Sequence, residues 1–71
     1  MDMAAIGKRL RELRGIRTRV GVAKEAGIQA TALANYEAGR RMPSDKAKLA
    51  LSRYYGLTVD ELFFADNNHN E

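Results

Sequence analysis

The chain has 71 residues, no cysteine, and 12 Lys and Arg against 9 Asp and Glu, a net charge of +3. This length predicts one domain, marginal alone because it buries only about 60% of its unfolded surface. Without cysteine it has neither a disulfide framework nor a thiolate metal site, which fits a reducing, cytoplasmic setting, and no apolar run approaches the roughly 20 residues of a membrane span.

The opening MDMAAIGKRL lacks the basic start, apolar middle and cleavage site of a signal peptide. The charge is uneven. Residues 1–41 carry nine bases against four acids (+5), and residues 42–71 carry three against five (−2). A basic first part points to an anionic partner, with nucleic acid the first candidate. A solvated surface of mixed charge is the plainer alternative.

In the first segment, DMAAIGKRLRELR, the residues Met3, Ile6, Leu10 and Leu13 fall at helical spacing. Asp2 is a suitable cap at its start. Gly15 suits the left-handed residue that closes a helix, and Ile16 is expected to fold back onto it. Thr18 is placed to cap a second helix over Arg19–Ala26, with Val22, Ala23 and Ala26 as its apolar stripe. Gly21 inside that helix costs about 1 kcal/mol relative to Ala, so the helix depends on tertiary packing. Gly27 ends it.

A third helix is predicted over 29–38, with Ala32, Leu33 and Tyr36 apolar, and ends at Gly39. Pro43 stops any continuation, and Ser44 caps a fourth helix that runs to Tyr55 and ends at Gly56. TVDE matches a capping box, with Thr58 at the cap and Glu61 three residues on. The fifth helix is predicted over 59–64. The domain is thus expected over 1–64, with 65–71 a frayed tail that lacks an apolar anchor.

Ala23, Gly27, Ile28, Leu33 and Tyr36 form one constellation. A small residue lets two helices approach, a glycine supplies the positive φ of a tight turn, and three larger apolar residues fill the wedge. That is the logic of a helix-turn-helix. VAKEAGIQATALANYEAGRRMPS also resembles the Cro/cI-type (Xre) family of phage repressors and small bacterial regulators. The matching residues are Ala23, Gly27, Ile28, Leu33, Tyr36, Glu37, Gly39 and Pro43, and KLALSRYYGLTVDELFF continues the match into the family's last two helices.

The resemblance implies an all-α, five-helix, lambda-repressor-like DNA-binding domain acting as a sequence-specific transcription regulator. It also implies a repressor that binds a palindromic operator as a homodimer. Arg19 departs from the family, which has Gln at the start of the second helix, and so offers a charged phosphate contact. Gln29 departs too, standing where Ser or Thr usually caps the recognition helix.

A recognition helix presents its polar N-terminal part to the major groove. Gln29, Ala30, Thr31 and Asn35 are therefore the candidate base readers. Gln or Asn can pair with adenine, and Ala or the Thr methyl can meet a thymine methyl. Arg19, Arg40 and Arg41, with Arg17 and Lys24, are the candidate phosphate contacts, which position without reading sequence. Each has a plainer reading: a wet helix face for Asn35, local backbone bonding for Thr31, good helix formers at the alanines, and C-terminal dipole complementation for Arg40 and Arg41.

By resemblance, Arg14 pairs with Glu37 to tie the first helix to the third. Leu57, Val59, Leu62, Phe63 and Phe64 are expected at the dimer surface, with plain core as the alternative. Enzymatic chemistry lacks an inventory: the single histidine, His69, is in the tail, and there is no cysteine and no phosphate-cradling glycine loop. No metal or cofactor is expected. An antitoxin or restriction-system controller of the same fold is the nearest alternative. A protein-interaction module that has lost DNA binding is another, and the basic first part argues against it.

Overall fold

Five helices follow one another with no strand among the described residues: α1 (Met3–Arg14), α2 (Arg19–Ala26), α3 (Ala30–Glu37), α4 (Asp45–Tyr55) and α5 (Val59–Phe63). The computed structural model describes residues 2–63, so Phe64 and the expected tail at 65–71 lie outside the described residues.

Short side chains set most of the helix starts. The Ala4 N–H donates to Asp2 Oδ1 at 3.0 Å, Gly21 N–H to Thr18 Oγ1 at 3.0 Å, and Ala47 N–H to Ser44 Oγ at 3.1 Å. Each bond satisfies one of the amide donors that a helix leaves unpaired at its start. At α5 the capping box is reciprocal: Glu61 N–H donates to Thr58 Oγ1 at 3.0 Å and Thr58 N–H to Glu61 Oε1 at 2.9 Å. α3 starts without such help. Gln29 precedes it in an extended conformation and makes no side-chain cap bond. α3 is also one residue shorter at each end than its sequence pattern predicts.

The core takes two residues from each helix: Ile6 and Leu10, Val22 and Ala23, Leu33 and Tyr36, Ala47 and Leu51, Leu62 and Phe63. α1 and α2 both pack on α3, while α4 packs on α2 and α5 spans α4 and α1. Leu62 and Phe63, expected on a dimer surface, are core residues instead. Through them this five-residue helix attaches itself to α4 and α1. Leu57 and Val59 are half-buried against the same core.

The link between α1 and α2 also differs from expectation. Gly15 has φ 61° and ψ −129°, outside the left-handed helical region. These are the angles of the first central residue of a type II′ turn, and Arg17 N–H closes the turn onto the Arg14 carbonyl at 3.2 Å. Ile16 sits at the tip, fully exposed, rather than folded back on α1. Met3, expected on the apolar stripe, is 39% exposed because it starts the helix beyond the edge of the core.

α1 meets the C-terminal end of α3 through a stripe of residues at helical spacing: Ala4, Gly7, Arg11 and Arg14. Gly7 is the point of closest approach. A Cβ built there meets the main chain of α3, at 2.9 Å from both the Glu37 carbonyl carbon and the Tyr36 carbonyl oxygen, and is nearer still to the Glu37 oxygen. Higher on the stripe, a Cβ on Gly39 lies 3.3 Å from Ala4 Cα. Gly7→Ala gains about 1 kcal/mol of helix propensity. The clash is with backbone, so the overpacking loss falls at the upper end of its usual range of about 1–3 kcal/mol. The expected net result is a melting temperature several degrees lower, at about 4–8 °C per kcal/mol for a domain of this size. An unchanged or higher melting temperature in a thermal denaturation would show that α1 and α3 are not in close contact.

Candidate nucleic-acid interface

The α2–turn–α3 unit is built around Ala23. Its carbonyl accepts from both Gly27 N–H and Ile28 N–H at 2.9 Å, which caps α2. Gly27 takes φ 84° and ψ 30°, the left-handed conformation that an L side chain resists. The chain turns there, Ile28 packs against the core, and α3 leaves at an angle with Leu33 and Tyr36 facing inward.

That orientation fixes what α3 shows to solvent. Gln29 and Thr31 are exposed, and Ala30, Ala34 and Asn35 are half-exposed. The side chains of Gln29, Thr31 and Asn35 make no hydrogen bond among the described residues. The local backbone bond open to Thr31 from sequence is not formed. Ala30 and Ala32 pack partly against the core, so Ala30 presents only its outer edge.

The other end of α3 is held by arginines. Glu37 is 3% exposed, and Arg14 Nε donates to its Oε2 at 2.8 Å. Arg19 Nε lies 3.4 Å from Oε1 but without the alignment of a hydrogen bond, and that oxygen has no bonded partner. Arg11 Nη1 donates to the Glu37 main-chain oxygen, a carbonyl at the helix end. Two guanidinium groups therefore face the buried carboxylate and a third holds the main-chain carbonyl of the same residue, so the junction keeps an excess of positive charge. Arg19, with its side chain 51% exposed, faces both Glu37 and solvent.

The remaining basic candidates separate into two groups. Arg40 and Arg41 are exposed just beyond α3 and form no ion pair among the described residues. Arg40 N–H donates to the Asn35 carbonyl at 3.0 Å and so fixes the exit of the chain. Lys24 is also exposed, one turn along α2 from Val20. Arg17 does not belong with them. Its Nε donates to the Arg14 carbonyl at 3.2 Å, Nη2 to the Leu13 carbonyl at 2.9 Å and Nη1 to Tyr54 Oη at 3.2 Å. Its guanidinium also lies 5.4 Å and 5.6 Å from the ring centres of Tyr54 and Tyr55.

Arg17 therefore caps the C-terminal end of α1 and anchors it to α4. Tyr54 continues the network by donating to Glu25 Oε1 at 2.8 Å. Beside it, burial pushes the Tyr55 phenol above its ordinary pKa, and the Arg17 charge opposes the shift.

Gly7 and Arg11 were not among the residues that the sequence singles out. The available signal is their register: 7, 11 and 14 lie on one helical face, so any partner of Arg14 also meets the other two. No group of three or more His, Cys, Asp or Glu converges among the described residues, and no described helix is long and apolar enough to cross a membrane.

An all-α fold whose short second and third helices meet at a glycine turn defines a helix-turn-helix protein. The model for the family described as Helix-turn-helix domain matches residues 5–63, and the chain belongs to that family, a DNA-binding and typically non-enzymatic class. Comparison with curated proteins and with solved structures returned no match.

Arg14→Ala leaves the buried Glu37 carboxylate without its only well-aligned donor among the described residues. Removing one partner of a buried pair typically costs about 3–5 kcal/mol. Arg19 and Arg11 remain near Glu37, so the lower end is expected, read as a drop in urea midpoint with an unchanged m-value. A midpoint within error of the wild type would reduce the pair to a surface contact.

Proposed function

We propose that the chain is a sequence-specific regulator of transcription, acting as a repressor that binds a palindromic operator as a homodimer in the cytoplasm. The observation that carries this reading is the outer face of α3. Gln29, Thr31 and Asn35 lie there together, exposed or half-exposed, their side chains not hydrogen-bonded among the described residues, between basic groups at either end. Neutral polar side chains of this kind read base edges in the major groove, where Gln and Asn match the donor and acceptor pattern of adenine. Arg40, Arg41, Arg19 and Lys24 supply phosphate contacts that set the register.

A homodimer follows from reach. One short recognition helix reads a few base pairs, so two copies on adjacent half-sites, about 10 bp apart from centre to centre, give a usable operator. The surface at Leu57 and Val59, where α4 gives way to α5, is the proposed contact. It is half-buried within one chain, and a second copy can cover the remainder.

Selection of bound sites from random duplex DNA tests the reading directly: a symmetric pair of half-sites is expected, and no enrichment would refute it. In titrations on the selected site, Arg40→Ala should weaken specific and non-specific duplexes alike. It should also reduce the slope of log K against log salt by about one unit. An unchanged slope would remove Arg40 from the phosphate contacts. Asn35→Ala should cost about 1–3 kcal/mol on the selected site, concentrated at one or two base pairs of each half-site, and leave non-specific binding nearly intact. A uniform loss over all single-base variants of the site would make Asn35 a backbone contact.

A further inference from the structure

A shallow groove of about 380 Å³ separates the first turn of α2 from α3. Thr18, Arg19 and Val20 form one wall, Ala30, Thr31 and Ala34 form the other, and Arg14 completes the lining. Val20, Ala30, Ala34 and Thr31 all end in methyl groups. Val20 is 67% exposed and takes no part in the core. A single exposed valine needs no explanation on its own. This one faces three methyl-bearing residues across a groove, on the same side of the molecule as Thr31, with Arg19 at its edge and Lys24 one turn away.

An apolar depression with a cationic rim suits a ligand that is hydrocarbon at its tip and anionic around it. Duplex DNA has such a feature. The C5-methyl group of thymine projects into the major groove between two phosphate backbones. Arg19 and Lys24 are placed for the phosphates and Val20 for the methyl. In the usual geometry the first helix of the motif only crosses the backbone.

We propose that Val20, with Ala30 and Ala34, forms a notch that reads the C5-methyl group of a pyrimidine, so that α2 as well as α3 contributes to sequence recognition. The proposal rests on the DNA-binding reading above. Thymine and 5-methylcytosine carry the same group, and the test separates them.

Each thymine of the selected site is replaced in turn by deoxyuridine, which removes the methyl and nothing else. Affinities are measured for the wild type and for Val20→Ala, whose melting temperature should be unchanged because the residue is exposed. At one thymine of each half-site, deoxyuridine should weaken wild-type binding about fourfold, the change that about 0.8 kcal/mol per buried methyl corresponds to. Val20→Ala should lose a similar factor on the thymine site and show no further loss on the deoxyuridine site. That non-additivity is the signature of direct contact.

Equal deoxyuridine losses in both proteins at every position, or none in either, would overturn the notch while leaving DNA binding in place. Absence of any duplex binding would overturn both readings. Cytosine and 5-methylcytosine at the sensitive position complete the test. A gain for 5-methylcytosine in the wild type alone means that the methyl is read on either pyrimidine. With the thymine coupling present, no gain restricts the notch to thymine.

Discussion

The arrangement of this domain depends on one buried carboxylate. Glu37 is the last residue of α3; its carboxylate faces Arg14 of α1 and Arg19 of α2, and its main-chain carbonyl accepts from Arg11 of α1. A buried ion pair adds little net stability, because desolvation offsets most of its attraction, yet removing one partner is costly. Its effect is therefore on geometry. The bond from Arg14 and the Arg11 contact at the helix end let α3 sit in one position relative to α1. Gly7 allows the two backbones to close to the distance at which those bonds form.

The apolar core alone is too small to give that definition. Each helix contributes two residues to the core, and the largest fully enclosed side chains among the described residues are Leu10, Leu33, Leu51, Leu62 and Val22. Non-directional burial holds such helices together but tolerates sliding and rotation. Directional groups at the helix ends restrict those freedoms: the Thr58 and Glu61 box at α5, Arg17 on the last carbonyls of α1, and the Tyr54 bridge from α4 to Glu25 on α2. Arginine serves two purposes here. Arg11, Arg14 and Arg17 orient helices, while Arg40 and Arg41 stand exposed beyond α3. The basic excess in the first 41 residues is thus partly structural.

Local chemistry was the legible part of the fold. Asp2, Thr18, Ser44 and Thr58 act on amides two or three positions away, and Gly27 and Gly56 close their helices within one turn, so a short window of sequence contains both partners. The helix-turn-helix was legible for the same reason. What escaped depends on how helices cross. The role of Gly7 exists only because α3 passes over it. Ile16 was misplaced because the turn at Gly15 is of another type than the one that folds a residue back. Arg17 looks like a phosphate ligand in a list of basic residues, yet its guanidinium turns back onto the last carbonyls of α1 and meets Tyr54 from 37 positions away. Leu62 and Phe63 have the composition of a dimer surface and of a core, and only the path of α5 decides between them.

The type II′ turn at Gly15 and Ile16 separates two mechanical requirements. The α1 side chains that meet α3 lie at Arg14 or before it, Arg17 folds back onto the end of α1, and the cap that begins α2 lies at Thr18. The turn between them carries no buried side chain. Lengthening a surface connection costs little, because closure entropy rises only with the logarithm of loop length. An insertion between Gly15 and Ile16 is therefore expected to keep the same α1–α3 geometry. A reporter group attached at Ile16 would sit outside the core while remaining close to the start of α2.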